Sequence, residues 1–350
     1  MGKNTEHLRQ LDRPPIRLKD PPGYICLNHN EAPFSGAASL RVTLDHLNAY
    51  PEPFFLYEQL ARHHGVEPGQ LLLTCGSEQG LRHVFDTFLD DGDQVVLPSP
   101  TFGMLQVFCH YRRATVVRVG YDASRRLDLD AFLGAMDEAT RLVYLANPDS
   151  PTGGAIELPQ IERIAAHCAA LPEAVFLLDE AYHDYYPLPT VELIPRFPGL
   201  VITRSFSKGW GLAGIRAGYL ISNPAKIELL RKQKPMDELS SPTIELCSQA
   251  LERPDLVQRN VAQVQKWRDR FREVCWPTLT YLPTEGNFIM LRSTRLEHHL
   301  SAFEKHRVRP RTFGEGCLQD CLRFSVGPDE IMERIFRFLN ASEFENGATV

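Results

Sequence analysis

The chain has 350 residues, 43% hydrophobic and 23% charged, a balance that fits a soluble globular enzyme and allows a large domain plus a smaller one. Its formal net charge of −6 leaves no basic excess to meet phosphates, which argues against a nucleic-acid partner, and no apolar run approaches the ~20 residues that span a bilayer. The opening MGKNTEHLRQLDRPP lacks the apolar stretch of a signal peptide; the eight scattered cysteines, only Cys317 and Cys321 being close, read as reduced thiols of a cytoplasmic protein with no metal site.

In chain order, residues 1–40 are expected to form an N-terminal arm. From about residue 70 to 235, short apolar runs alternate with helical patterns. QVVLPSP, ATVVRVG, LVYLANP, AVFLLDE, LVITRSF and AGYLISN are rich in β-branched and large apolar residues and bounded by Pro, Gly, Asp or Asn, so they predict buried strands. LRHVFDTFLDD, LDAFLGAMDEA and LPQIERIAAHCAAL predict helices between them. Such alternation implies a mostly parallel sheet with helices on both faces. PMDELSSPT (235–243) reads as a break, followed by a long helix, PDLVQRNVAQVQKWRDRFREVC, and then strands and helices in α+β order. The expected organisation is an α/β domain over 41–235 and a smaller α+β domain over 236–350.

Parallel sheets bind ligands beyond the carboxyl ends of their strands, and four groups fall at or just past such ends. CGSEQG (75–80) opens a helix whose first N–H groups attract a phosphate. PSPTFGM brings Phe102, a ring able to lie flat on another ring or simply to fill the core. VFLLDEAYHDYY ends an apolar strand on Asp179; a buried carboxylate needs a partner, which a protonated pyridine nitrogen or a helix cap could supply. Tyr182 follows with a phenol. LVITR then runs into SFSKGWGLAGIRAGYL, where Lys208 is a candidate carbonyl-capturing amine, although an isolated Ser-Lys fits a surface lysine equally well. Ser205 and Arg216 offer a hydroxyl and a guanidinium to the same phosphate. Together these groups ask for one ligand with a phosphate, a carbonyl, a pyridine nitrogen and a ring hydroxyl, which is pyridoxal phosphate.

Eight ordered blocks carry a resemblance to a known family. NHNEAPF is similar to NENPYG, AYPEP to RYPDP, GSEQG to GADE, PTFGM to PTYGM, NPDSPTG to NPNNPTG, LLDEAY to VVDEAY, and CLRFSVG to LRITIG, while SFSKGWGLAGIRAGY matches the lysine signature. Over nearly its whole length the chain resembles the fold-type I, class I/II pyridoxal-phosphate aminotransferases, and among them the histidinol-phosphate aminotransferase branch. The resemblance implies an aspartate-aminotransferase-like large domain and amino transfer through a Lys208 Schiff base, with Asp179 on the pyridine nitrogen, Tyr182 on the ring oxygen and Phe102 stacked on the ring. It implies phosphate binding by the N–H groups of Ser77 and Glu78 and by Ser205, Ser207 and Arg216, with Tyr50 reaching the partner subunit's cofactor in a homodimer. Arg323 would bind the substrate carboxylate, with Asn287 beside it.

Three positions depart from the family pattern. Ser150 replaces the asparagine that usually touches the ring oxygen, Phe34 replaces a tyrosine near the substrate side chain, and Gly209–Trp210 replace the common Ala–Phe. These departures keep a second reading open: a lyase or cyclase performing elimination, cyclisation or decarboxylation on a polar or guanidino amino acid such as hydroxyarginine in specialised metabolism.

Overall fold

The computed structural model describes residues 11, 22–43, 47–314 and 316–344; half of the expected arm and the last six residues lie outside that set. The strands in chain order are β1 (Ile25–Cys26), β2 (Leu71–Thr74), β3 (Gln94–Ser99), β4 (Thr115–Gly120), β5 (Thr140–Ala146), β6 (Val175–Asp179), β7 (Leu200–Ser205), β8 (Gly218–Ser222), β9 (Leu279–Leu282), β10 (Phe288–Ser293), β11 (Val308–Arg309), β12 (Arg311–Thr312) and β13 (Cys321–Ser325). The helices are α1 (Phe54–His64), α2 (Gly76–Phe88), α3 (Met104–Tyr111), α4 (Leu129–Gly134), α5 (Leu158–Ala169), α6 (Pro224–Gln233), α7 (Ser241–Leu251), α8 (Pro254–Arg272), α9 (Leu296–Lys305) and α10 (Asp329–Phe344).

Seven strands form the main sheet in the order β2-β8-β7-β6-β5-β3-β4. Every pair is parallel except those made by β8, which runs antiparallel to β7 and β2. Helices cover both faces, so the central strands are mostly apolar while their side chains still alternate. Phe176 and Leu178 of β6 enter one core; Val175 and Leu177 enter the other. Burying each such side chain is worth about 2 kcal/mol.

All six strands expected from the pattern are present. LLLT, which becomes β2, was not expected: three consecutive leucines lack the alternation or β-branching that marks a short strand. The helix expected over LDAFLGAMDEA stops at Gly134. The break at 235–243 does separate two helices, and Ser240 caps the second by accepting the Thr243 N–H. That second helix, α7, falls in the smaller domain on the sequence reading, yet Ile244, Cys247 and Ala250 pack into the same core as α1 and the main sheet.

The antiparallel sheet β12-β13-β10-β9 surrounds its own core, which includes Trp267, Phe271, Phe288 and Phe324. The N-terminal segment joins the two parts. β1 pairs in parallel with β11, the Ser325 N–H donates to Leu27 O at 2.7 Å, and the Gly36 N–H donates to Gly211 O at 3.1 Å. Residues 27–36 therefore cross the space between the small sheet and the loop that carries Lys208.

Candidate active site

β5, β6 and β7 end side by side at Ala146, Asp179 and Ser205, because they pair in parallel with Ala146 opposite Asp179 and Asp179 opposite Thr203. The loops beyond them bring Ser150, Tyr182 and Lys208 together. The Lys208 amine donates to Asn30 O at 2.8 Å and lies 5.2 Å from the centre of the Tyr182 ring. Asn287 Nδ2 donates to the same Asn30 carbonyl and to Glu31 O, both at 3.0 Å.

Asp179 is buried. One of its oxygens accepts the Tyr144 hydroxyl at 2.9 Å and the other the Ala181 N–H at 3.0 Å. Burial pushes its carboxyl up to about 6, a rise that these two bonds and the Lys208 charge only partly offset. Glu180, one residue on, turns the other way and is buried against Arg204 at 2.8 Å. For Tyr182, burial alone would raise the phenol; the charges of Lys208 and Arg323, with bonds from Asn30 and Ser150, outweigh it and bring the phenol below its ordinary value.

Arg323, on β13, lies 4.9 Å from the Phe288 ring centre and 5.4 Å from that of Phe313, and its Nη1 donates to Ser150 Oγ at 3.2 Å. Burial lowers its guanidinium to about 10. Arg311 is the direct cross-strand partner of Arg323, so the two side chains share one face of the sheet.

An anion cradle stands beside this cluster. α2 begins at Gly76 (φ +78°); Gln79 Oε1 accepts the N–H of its N-cap Cys75, whose own side chain makes no cap bond to the first turn. A Cβ at Gly76 would meet the Arg216 guanidinium at 2.7 Å, and one at Gly218 would meet the Ser77 N at 2.6 Å. Both glycines thus admit close approach to a helix start that a guanidinium faces. Gly218 lies opposite Ser205 at the end of β7, which links the cradle to the Lys208 loop, and Ser205 Oγ accepts the Ser207 N–H at 3.0 Å. Buried Asn30 Oδ1, Asn287 Oδ1 and Arg323 Nε have no partner among the described residues. An amine, a buried acid, a phenol, an anion cradle and unmatched polar atoms suit the four groups of pyridoxal phosphate and an anionic substrate.

The remaining expected residues are placed less centrally. Ser77 and Glu78 are half-buried in the first turn of α2, and Phe102 is half-buried beyond β3, packed on the core below. The Phe34 ring lies under Arg259 at 4.2 Å, and its backbone bonds Asn260. Tyr50 is 85% exposed. Three residues escaped the sequence reading. Asn30 and Arg311 come into place through long-range pairing alone. Tyr144 offered one signal, a hydroxyl within the apolar stretch Leu142–Ala146 of β5.

The family model for aminotransferase class I and II matches residues 41–339. Histidinol-phosphate aminotransferase of Pectobacterium carotovorum is 29% identical over 91% of both chains. The structure of histidinol-phosphate aminotransferase from Sinorhizobium meliloti in complex with pyridoxal-5'-phosphate superposes with a TM-score of 0.79 at 26% identity, covering 92% of this chain and 91% of that one. A Thermus thermophilus aspartate aminotransferase mutant, 18% identical over 91% of this chain and 96% of its own, shares the fold with a TM-score of 0.74. None of these favours the lyase or cyclase alternative.

Proposed function

The chain belongs to the class I and II aminotransferases and is a pyridoxal-phosphate-dependent enzyme of that type; from this premise we propose how its own residues divide the work. When bound, the cofactor supplies an aldehyde that captures amines and a ring that accepts electrons. Lys208 is the amine that holds the aldehyde at rest and, once released, moves the proton at the substrate Cα. Asp179 keeps a proton on the ring nitrogen, Tyr182 and Ser150 serve the ring oxygen, and Phe102 covers a ring face. The start of α2 at Ser77 and Glu78, with Ser205, Ser207 and Arg216, takes the phosphate.

Arg323 binds the substrate carboxylate between its two aromatic neighbours, with Asn287 shaping that wall and Phe34 nearby. Arg311 alongside supports a substrate or acceptor with a second anionic group, as glutamate has. A homodimer is part of the proposal. Val42, Leu47, Tyr50, Phe54 and Phe55 form an exposed apolar run, and Tyr50 reaches the partner's phosphate across it. A cytoplasmic setting accords with the free cysteines; among the described residues no helix is long and apolar enough to cross a membrane.

The observation that carries the reading is the glycine-opened start of α2 facing Arg216, beside a lysine amine held by Asn30 O. Borohydride reduction of the cofactor-loaded protein, followed by peptide mass spectrometry, tests it. A phosphopyridoxyl group on Lys208 is expected; the same group on another lysine would refute the assignment. Release of the matching keto product from a panel, a keto acid from glutamate or a phosphate-bearing ketone from histidinol phosphate, then identifies the donor.

A further inference from the structure

Asn30 has four features that do not belong together in an ordinary loop residue. It is 2% exposed. Its φ is +53°, in the left-handed region that asparagine tolerates better than most residues. Its side-chain Nδ2 donates to the Tyr182 hydroxyl at 2.8 Å, while its main-chain carbonyl accepts Lys208 Nζ at 2.8 Å. Its Oδ1 is buried without a partner among the described residues. The segment around it is anchored at both ends, by Leu27 to the small sheet and by Gly36 to Gly211 of the lysine loop, and Asn287 grips the same carbonyl at 3.0 Å. The backbone is thus held so that one residue touches both the amine and the phenol.

Resting on the reading above, we propose that Asn30 is a positioning residue of the amino-transfer reaction: its amide orients the Tyr182 hydroxyl and its carbonyl holds the Lys208 amine whenever that amine is free. The amide N–H occupies a lone pair of the Tyr182 oxygen, so the phenol's own proton is left for an acceptor in the site. That is the task of a donor to the cofactor's ring oxygen. In this chain the family's usual second donor has become Ser150, whose hydroxyl is also engaged by Arg323 at 3.2 Å. Asn30 therefore supports the ring-oxygen contact through Tyr182. The carbonyl contact gives Lys208 a fixed resting place after release, which keeps the base near the site instead of in bulk water.

The test is a pH titration of the visible band of the cofactor-loaded protein, in wild type, Asn30→Gly, Asn30→Asp, Tyr182→Phe and the Tyr182→Phe/Asn30→Gly double variant. Glycine keeps the left-handed backbone and the carbonyl contacts while deleting the amide; aspartate keeps the shape and replaces the donor with an acceptor. Asn30→Gly should raise the midpoint by about one pH unit, the scale of one lost hydrogen bond, and lower kcat about tenfold with little change in KM. Asn30→Asp should move the midpoint in the same direction, and the glycine change should add nothing in the Tyr182→Phe background. An unmoved midpoint in both single variants, or an equal shift without the Tyr182 hydroxyl, overturns the proposal; a purely structural role would lower Tm and leave the midpoint alone. Lys208→Ala is run alongside: if it still forms the wild-type band, the assignment of Lys208 has failed, whereas loss of the band with an unmoved Asn30→Gly midpoint sinks the Asn30 role alone.

Discussion

Ser293, His299 and Glu343 form a row in the small-sheet part, with Ser293 Oγ 2.8 Å from His299 Nδ1 and His299 Nε2 2.6 Å from Glu343 Oε1, while Lys208, Tyr182 and Asn30 form another at the carboxyl end of the main sheet. By residue type the first looks the more reactive, since a hydroxyl, an imidazole and a carboxylate in line can make a nucleophile. Its surroundings say otherwise. His299 is fully buried; Glu343 Oε2 also accepts the Thr278 N–H at 2.8 Å, and Ser293 Oγ accepts the Arg295 N–H at 2.9 Å. The row is a clasp that ties β10, α9 and α10 together. Around Lys208, by contrast, Asn30 Oδ1, Asn287 Oδ1 and Arg323 Nε are buried and unmatched. Unmatched buried polar atoms are costly to a fold, and these three face the same pocket as the Lys208 amine, where a ligand completes the structure. Satisfied hydrogen bonding, more than residue type, separates the clasp from the site.

The sharpest way to break this comparison is to remove one residue from each row. Lys208→Ala should lower turnover by about ten-thousand-fold, the upper range for a lost general base, with Tm of the cofactor-free protein unchanged within a degree or two. His299→Ala should do the reverse. Denaturant unfolding should show a loss of about 3 kcal/mol, because a fully buried ring is replaced by a cavity and both Ser293 and Glu343 lose a hydrogen-bond partner, with cofactor affinity retained. A clasp variant that lost activity while keeping its stability would erase the distinction.

Acid titration sharpens the same contrast. Asp179 is raised from the ordinary 3.8 to about 6, so the cofactor-free fold gains stability from its protonation. That gain is complete below 3.8 and lost as pH rises through about 6. Asp179→Asn removes the dependence, and between pH 4 and 7 the variant should lose about 2 kcal/mol less than the wild type. Thermal melts across that range read the difference; parallel wild-type and variant curves would show that Asp179 ionises as freely folded as unfolded. The smallest expected effect is at the cradle. Gly76→Ala places a methyl 2.7 Å from Arg216 at a positive φ, and equilibrium titration should find cofactor binding about tenfold weaker.

Much of this was legible in the linear chain. Asp179, Tyr182, Lys208 and Arg216 lie in or next to short apolar runs, and a strand's end is where a parallel sheet presents its ligand groups. Asn30 was not legible, standing 152 residues from Tyr182 and 178 from the Lys208 amine it meets. Nor was Arg311, whose pairing with Arg323 depends on the register of β12 against β13.

By itself the sequence determined the α/β class, the mostly parallel sheet and the family, because backbone periodicity and short blocks of contiguous residues are local properties that survive in one dimension. Only the tertiary structure decided that α7 packs with the main sheet, that Asn30 bridges the phenol and the amine, and that the Ser293–His299–Glu343 row is closed while the Lys208 cluster is open. The reason is physical. Whether a buried polar atom is satisfied depends on partners from distant segments brought within about 3 Å, and no local pattern encodes that distance.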